Sequence, residues 1–336
     1  MKIALAGPYP AGTLEQFQAL LPDQTFFSVE GQEDYEALTD VDCIIVRVLK
    51  TPEAVLANKP NLKAVIRWGA GYDSVDVQAA GRRGIPVLNT PGVNAYAVAE
   101  LALGMMITLN RKVLGYWSNV QQGNWDRGAF ASLSLNHKTV GIVGGGNIGR
   151  RVAALVQALG AQVIYYDAFR LPPEREQELH MTYAPLEELL ERADLVSLHV
   201  PLLDSTRHII GAEQLARMKP TACLVNTARG GLVDDAALLQ ALQKGQLAGA
   251  GLDCVEDEAS PVTKGLMGAP NVLITPHIGG TTADLADDMI PVIVEKICSL
   301  VERGTADNIV NRAFLEEAGA VRPQQSAAQP MAKIKD

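Results

Sequence analysis

The sequence predicts an α/β protein built from two doubly wound parallel-sheet domains, one of them inserted into the other. Two observations carry this prediction. Short apolar runs typical of buried parallel strands alternate with helical patterns from residue 3 onward. A glycine fingerprint, Gly-Gly-Gly-Asn-Ile-Gly at residues 144–149, lies in the middle of the 336 residues, where a second α/β unit would begin.

The first unit is predicted from four short β-rich runs. They lie at residues 3–6, 43–48, 64–68 and 87–89. A long, mostly apolar helical pattern at residues 95–122 then leads into the second unit. A further helical pattern follows residue 281, and residues 308–314 could return the chain to the first unit.

The second unit contains enough strands for a complete doubly wound sheet. They are expected at residues 139–143, 163–166, 195–198, 222–225, 249–252 and 272–274. We therefore predict one domain from residues 1–95 and 285–316, and an inserted domain from residues 96–284. Residues 317–336 hold Pro, Gln, Ala and Lys with no aromatic residue, which predicts a disordered tail.

The composition excludes several classes of protein. It is 48% hydrophobic and 20% charged, which is typical of a globular chain, and its net charge of −9 disfavours a nucleic-acid surface. No apolar run approaches the roughly 18 residues that span a bilayer. The four cysteines are scattered, which favours a reducing cytoplasm. No ligand spacing indicates a metal site.

Each part of the glycine fingerprint has a physical task in binding a dinucleotide. Gly144 allows a tight turn after the strand, Gly146 lets the backbone approach a pyrophosphate, and Gly149 lets helix pack on strand. The helix that follows offers free N–H groups to the phosphates. Asp167 ends the next strand and suits the adenosine ribose hydroxyls, which favours NAD over NADP. Arg170 lies close by and could partly offset that preference.

Three polar clusters follow later strands of the second unit. They contain Arg229, then a run from Asp253 to Glu258, then His277. Because ligands bind at the carboxyl ends of strands in an open α/β sheet, we expect these groups to converge. Arginine can hold a substrate carboxylate in a two-pronged contact, and histidine can protonate a carbonyl oxygen. A carboxylate beside the histidine would orient its ring. This set suits hydride transfer to a carbonyl.

The order of these motifs resembles the D-isomer-specific 2-hydroxyacid dehydrogenase family over residues 40–312. The resemblance implies a Rossmann NAD-binding domain, residues 96–284, inserted into a flavodoxin-like substrate-binding domain. It implies Arg229 as substrate clamp, Glu258 as partner acid and His277 as acid/base. The implied cofactor-binding residues are Gly144, Gly146, Asn147, Ile148, Gly149, Asp167, His199, Pro201, Thr206, Thr227, Ala228, Asp253, His277 and Gly279. The implied substrate-binding residues are Arg47, Arg67, Ala70, Gly71, Arg229 and His277.

Two alternatives remain open within the site. The family usually has proline directly after the acid, whereas Ala259 and Ser260 precede Pro261 here, so Glu256 competes with Glu258. His199 also ends a strand and competes with His277, although it has no partner motif. We interpret it as a pocket-wall residue.

The substrate is the least determined feature. Arg47 and Arg67 each end a predicted strand of the first unit, which invites a second anionic group as in 3-phosphoglycerate dehydrogenases. Pairing with nearby aspartates would explain the same arginines. A glyoxylate or hydroxypyruvate reductase is the alternative, and an NAD-sensing corepressor-like scaffold is a rival of another class. The family resemblance implies a homodimer, for which the apolar helical pattern at residues 95–114 is a candidate face, although a core-facing helix would look the same.

Overall fold

The computed structural model describes residues 1–320, and the chain divides into two units. The first unit comprises Met1–Val93 and the chain from Ala286 onward, and the second comprises Asn94–Leu285. The second unit is therefore inserted between two segments of the first. Glu317, where the predicted tail begins, is the last residue of a helix, and the predicted tail residues 321–336 lie outside the described residues.

The first unit contains a five-stranded parallel sheet of strand order β2-β1-β3-β4-β5, the flavodoxin-like order. Its strands are β1 (Lys2–Ala6), β2 (Thr25–Val29), β3 (Cys43–Val46), β4 (Ala64–Arg67) and β5 (Val87–Leu88). Its helices are α1 (Thr13–Leu20), α2 (Gln32–Ala37), α3 (Glu53–Ala57) and α4 (Val77–Arg82), followed after the second unit by α13 (Leu285–Arg303) and α14 (Arg312–Glu317). All four residues of β3 are buried, as expected of a central parallel strand.

The second unit contains a seven-stranded parallel sheet of order β12-β11-β10-β9-β6-β7-β8. Its strands are β6 (Thr139–Val143), β7 (Gln162–Tyr166), β8 (Met181–Tyr183), β9 (Leu195–Leu198), β10 (Cys223–Asn226), β11 (Gly249–Leu252) and β12 (Val272–Ile274). Its helices are α5 (Ala95–Asn110), α6 (Val113–Gln121), α7 (Asn147–Ala158), α8 (Pro173–Glu178), α9 (Leu186–Arg192), α10 (Ala212–Arg217), α11 (Asp235–Gln243) and α12 (Pro261–Met267). Counted from β6, the order is the doubly wound Rossmann arrangement, in which the order of strand addition reverses between β6 and β9.

Two apolar cores cover the two faces of the seven-stranded sheet. One contains Leu189, Leu224 and Leu238, and the other contains Met105, Val152 and Val225. Neighbouring residues of β10 contribute to opposite cores because side chains alternate across a strand. Helices α5 and α7 pack together on one face, and α9 to α11 lie on the other. The predicted fold class is confirmed.

The predicted single helix at residues 95–122 is wrong in one respect. It is broken into α5 and α6 at Lys112, whose φ of 54° is left-handed. The Lys112 ammonium lies 3.3 Å from the Ala248 carbonyl oxygen, to which it donates a hydrogen bond. No glycine or proline marks the break, so the pattern concealed it. The edge strands β2 and β8 were also missed, because their short runs mix apolar and polar residues.

The chain returns to the first unit through residues 308–314. Val310 donates its N–H to the Val87 carbonyl at 2.8 Å, and the buried Asn311 side chain accepts from Val87 N–H at 2.9 Å. Helix α14 then packs on α4. At the crossing, a Cβ added to Gly81 would lie 2.2 Å from the Phe314 Cβ and 3.1 Å from its carbonyl carbon.

We expect Gly81→Ala to destabilise the first unit by about 2 kcal/mol or more, because the added methyl group must push α14 away from α4. The matched control is Gly268→Ala, whose added Cβ would meet only ordinary contacts at 3.7 Å and beyond. Thermal unfolding measured by calorimetry checks the pair. Equal melting temperatures for the two variants would contradict the packing described here.

Candidate cofactor and catalytic site

The loop between β6 and α7 has the geometry that the glycine fingerprint predicts. Gly144 has a φ of 107° and donates its N–H to the Tyr166 carbonyl at 2.8 Å. A Cβ on Gly144 would lie 2.7 Å from the His199 carbonyl, and one on Gly149 would lie 1.9 Å from the Gly144 oxygen. Both positions therefore require glycine, since any side chain would collide with backbone.

Gly146 differs from these two glycines because a Cβ there would meet nothing within 4 Å. It caps the amino terminus of α7, a helix of 12 residues that begins with Asn147. Ile148 packs against the core beneath the loop. Open space above the first turn of a helix is what a pyrophosphate needs, because it can approach the free N–H groups directly.

Asp167 follows β7 and is fixed beside the same loop. Its Oδ2 accepts the Gly145 N–H at 2.7 Å, and its Oδ1 accepts the Phe169 N–H at 2.9 Å. The carboxylate therefore lies next to the fingerprint, where the motif expects an acid for the adenosine ribose. The hydrogen bond between Asp167 and Gly145 was not predicted, because no sequence motif links two residues at this separation along the chain.

His199 follows β9 and is a neutral residue. Its Nε2 lies 2.9 Å from the Ser197 Oγ, and its buried Nδ1 has no hydrogen-bond partner among the described residues. Burial lowers the pKa of the imidazole to about 3. A histidine that is uncharged at neutral pH does not suit the acid role in carbonyl reduction.

The loop after His199 carries two more residues of the predicted cofactor set. The Thr206 Oγ1 donates to the Pro201 carbonyl at 2.7 Å and accepts the Leu203 N–H at 2.8 Å. The side chain of Thr206 therefore orders this loop. Its hydroxyl is already bonded at both donor and acceptor positions.

Arg229 stands in a turn that the end of β10 organises. The Asn226 side chain donates to the Arg229 carbonyl at 2.8 Å and accepts the Ala228 N–H at 3.1 Å. The Arg229 Nη1 donates to the Ala228 carbonyl at 2.7 Å. A Cβ on Gly230 would lie 2.0 Å from the Val255 oxygen, so this turn is in close contact with the loop after β11.

Asp253 connects the ends of β10, β11 and β12. Its N–H donates to the Asn226 carbonyl at 2.9 Å, and its carbonyl accepts the His277 N–H at 2.9 Å. Its carboxylate, 1% exposed, accepts from Thr275 Oγ1 at 2.6 Å and from the N–H groups of Ile278 and Gly279, both at 2.8 Å. The turn that carries the exposed His277 is thus built around this carboxylate.

His277 itself has a strained backbone. Its φ of 54° lies in the left-handed region, which few residues other than glycine adopt. Such strain persists only where surrounding contacts enforce it, and it is concentrated at functional sites. The sequence gives no sign of it, although the Pro-His-Ile-Gly-Gly motif marked the position.

The acidic run after β11 separates into different roles. Both oxygens of Glu256 are occupied, by Arg207 Nη1 at 2.8 Å and by His208 Nε2 at 3.0 Å. Burial raises the pKa of the Cys254 thiol to about 12, and the charges of Arg229 and Glu258 also act on that thiol. Glu258 is exposed, and its carboxylate takes no part in the Glu256 ion pairs.

The two residues that separate Glu258 from Pro261 have a structural explanation. The Ser260 Oγ accepts the Thr263 N–H at 3.1 Å, and Pro261 is the first residue of α12. Serine before proline is a favoured start for a helix. The two residues that lengthen this loop relative to the family pattern thus include the cap of α12.

Two buried polar atoms in the predicted cofactor set have no partner among the described residues. They are the Thr227 Oγ1, on a residue 6% exposed, and the His199 Nδ1. Unsatisfied buried polar groups are costly, so their presence fits a polar ligand. Together with the open space at Gly146, these atoms suit NAD. No group of three or more His, Cys, Asp or Glu side chains within residues 1–320 could hold a metal ion.

The predicted substrate residues of the first unit lie around the loop after β4. Arg67 donates from Nε to the Gly71 carbonyl at 2.8 Å, and from Nη1 to the carbonyls of Val46, at 2.8 Å, and of Arg47. Ala70 accepts from the Asn89 side chain at 2.7 Å. The N–H groups of Ala70 and Gly71 bond to no residue among 1–320.

Arg47 also bonds within its own unit, through an Nη1 contact with the Pro8 carbonyl at 2.8 Å. Three of the nearby aspartates that could pair with Arg47 or Arg67 have other partners. Asp40 and Asp42 pair with lysines, and Asp76 caps α4. Arg67 therefore supports the loop, whereas a role for either arginine in substrate binding stays a prediction.

Comparison with known proteins places this site in a family. Residues 103–279 match the NAD-binding domain of the D-isomer specific 2-hydroxyacid dehydrogenases. The chain is 40% identical to a hydroxypyruvate reductase of Thermotoga maritima, over 80% of this chain and 88% of that one. It is 34% identical to a D-3-phosphoglycerate dehydrogenase of Methanocaldococcus jannaschii, over 99% of this chain but only 64% of the relative's length.

Solved structures agree with the sequence comparison. A D-lactate dehydrogenase of Aquifex aeolicus, complexed with NAD and lactic acid, superposes with a TM-score of 0.80 at 29% identity, over 89% of this chain and 95% of that one. The resemblance read from the motifs and the predicted cofactor, NAD, are both confirmed. The chain belongs to the family of D-isomer specific 2-hydroxyacid dehydrogenases, which are NAD-dependent oxidoreductases.

Proposed function

We propose that this protein interconverts a small 2-keto acid, of the hydroxypyruvate or glyoxylate kind, and the corresponding D-2-hydroxy acid. The observation that carries the proposal is the hydrogen-bonded junction at Asp253, which joins the turns of Arg229 and His277. A cation and a proton donor on connected turns are what reduction of a 2-keto acid requires.

The chain's own residues divide the chemistry among them. The Arg229 guanidinium binds the substrate carboxylate in a two-pronged contact and polarises the neighbouring carbonyl. When bound, NADH supplies the hydride that reaches the carbonyl carbon. His277 gives its proton to the carbonyl oxygen and takes it back in the reverse reaction. Glu258 acts on His277 as the partner acid, since Glu256 is engaged by Arg207 and His208.

The loop after β4 supports binding of the substrate carboxylate. Its Ala70 and Gly71 N–H groups bond to no other residue in the described part of the chain, so they can donate hydrogen bonds to an anion. Arg67 holds the Gly71 carbonyl and so orients this loop. We favour an unphosphorylated substrate, because the hydroxypyruvate reductase is 40% identical over 88% of its own length, whereas the D-3-phosphoglycerate dehydrogenase is 34% identical over 64% of its length.

A phosphorylated substrate is the second candidate. It is favoured by Arg47, which is half-buried at the same edge of the sheet, and by the identity with a D-3-phosphoglycerate dehydrogenase. In that case 3-phosphohydroxypyruvate would bring a second anionic group to Arg47 and Arg67.

A panel of keto acids with NADH separates the two candidates. We expect a higher kcat/KM for hydroxypyruvate or glyoxylate than for 3-phosphohydroxypyruvate. Arg47→Ala is the sharper variant, because Arg67→Ala would also disturb the loop. The phosphorylated candidate predicts that Arg47→Ala raises KM for that substrate alone, whereas our proposal predicts similar changes for all. No turnover with any keto acid would contradict both.

The acid/base assignment predicts that His277→Asn lowers kcat by about 10²–10⁴-fold, the range for losing a positioned proton donor. NADH affinity should hardly change. His199→Gln tests the rival histidine: its amide can keep the contact with Ser197, so kcat should be mostly retained, whereas a lost contact with NAD would weaken NADH binding. Near-complete turnover of the His277 variant would refute the assignment.

The partner-acid assignment is tested by Glu258→Gln. The variant should shift the pH–rate profile for reduction toward lower pH, because the histidine loses the negative neighbour that keeps it protonated. Glu256→Gln is the matched control in the same loop and should leave the profile in place. A shift caused only by the Glu256 variant would transfer the role to that residue.

His199 also predicts how stability depends on pH. Its pKa is about 3 in the native protein and about 6.5 in an unfolded chain. Between pH 6.5 and the native pKa only the unfolded chain binds the proton. The free energy of unfolding therefore decreases as the pH is lowered through this range, by up to about 1.4 kcal/mol per pH unit. His199→Gln should remove this loss. The melting-temperature difference between wild type and variant should therefore shrink between pH 7 and pH 4; a constant difference would contradict a buried neutral imidazole.

We also propose that the protein is a cytoplasmic homodimer. Helix α5 buries most of its apolar residues within its own unit, although Tyr96 and Ile107 are 61% and 37% exposed. Helix α6 has no buried residue, and Val113, Leu114 and Trp117 are 45%, 38% and 63% exposed. An apolar surface of this kind suits a second copy. Light scattering should give twice the mass of the chain, and Trp117→Glu should give monomers.

The described cysteines are free thiols, which favours the cytoplasm. No helix within residues 1–320 is long and apolar enough to cross a membrane.

A further inference from the structure

The loop that follows Asp167 carries an arginine, Arg170, that is 58% exposed and makes a two-pronged ion pair. Arg170 donates from Nε to the Glu176 Oε1 at 2.8 Å and from Nη2 to Oε2 at 2.9 Å. The guanidinium also lies 4.9 Å from the centre of the Tyr183 ring. A two-pronged contact of this type fixes both the position and the plane of the guanidinium.

The acid in this pair is itself fixed. The Tyr165 hydroxyl donates to the Glu176 Oε1 at 2.7 Å and accepts the Leu171 N–H at 2.9 Å. The Glu176 side chain is only 12% exposed. Its bonds to Arg170 and Tyr165 lower the pKa of the carboxyl to about 2, so the acid is charged at neutral pH.

The position of this pair matters for cofactor choice. Asp167 lies against the glycine loop, where its negative charge would repel a phosphate at the ribose 2′ position. Arg170 is three residues further along the same loop and is the nearest cation in sequence that could neutralise such a phosphate. In dinucleotide-binding folds, a nearby arginine is what accommodates the 2′-phosphate of NADP.

We propose that Glu176 is a specificity-determining residue that keeps Arg170 unavailable to a 2′-phosphate. NAD selectivity then depends on two acids with different tasks: Asp167 repels the phosphate, and Glu176 withholds the cation that would bind it. The inference depends on NAD binding and is independent of the substrate assigned above.

The test measures cofactor binding without substrate. Dissociation constants for NADH and NADPH are obtained by fluorescence titration of wild type, Asp167→Ser, Glu176→Gln and the double variant. We expect the double variant to improve the NADPH:NADH affinity ratio by about tenfold more than the product of the two single effects, because only there is the repulsion absent and the arginine released.

Two further variants show whether the effect passes through Arg170. Adding Arg170→Ala to the double variant should return the ratio to that of Asp167→Ser alone. Glu174→Gln, an exposed acid on the same helix, is the matched control for loss of one negative charge and should give no excess in the Asp167→Ser background. Melting temperatures confirm that each variant is folded.

The outcomes are distinct. The proposal is overturned if the double variant changes the NADPH:NADH affinity ratio only by the product of the single effects. It is also overturned if the extra gain in that ratio persists after Arg170→Ala, or if Glu174→Gln gives an equal extra gain. Failure of the proposed keto-acid activity would leave these binding constants unaffected, so the two conclusions are tested separately.

Discussion

The buried carboxylate of Asp253 organises the turns that carry the proposed catalytic residues of the second unit. A carboxylate that is 1% exposed would be very costly without partners, and here one hydroxyl and two backbone N–H groups satisfy it. The same residue uses its backbone to join the turn of Asn226 to that of His277. The position of the His277 turn therefore depends on both the side chain and the backbone of Asp253. The geometry of the proposed acid/base group depends on the same bonds.

Close backbone contacts give the rest of the site its shape. The glycine loop, the Arg229 turn and the loop after β11 each approach another backbone at a distance that excludes a side chain, as at Gly149 and Gly230. Such contacts leave the bound groups little freedom, which is the condition for holding reacting atoms in place. The cofactor side of the site is built in the same way as the catalytic side, from turns fixed by neighbouring turns.

Much of this could be predicted from the sequence, because parallel strands and their following motifs leave strong local patterns. The glycine fingerprint, Arg229 and His277 were found from residue type and spacing. The roles of Asp253 and Asn226 toward their neighbours were not, because hydrogen bonds between the ends of different strands have no fixed spacing along the chain. The proposed preference for Glu258 over Glu256 likewise rests on the contacts of Arg207 and His208 with Glu256, which lie about 50 residues away in sequence.

Strand β12 has only three residues and lies at the edge of the seven-stranded sheet, paired on one side by β11 alone. Edge elements with few partners open at lower free energy than the sheet centre. The His277 turn extends from this edge, so its order is set by local side-chain bonds more than by the sheet. Amide hydrogen exchange around residues 275–279 would thus report on local opening of this turn separately from global unfolding. Such opening would move the proposed acid/base group while the sheet centre stays closed.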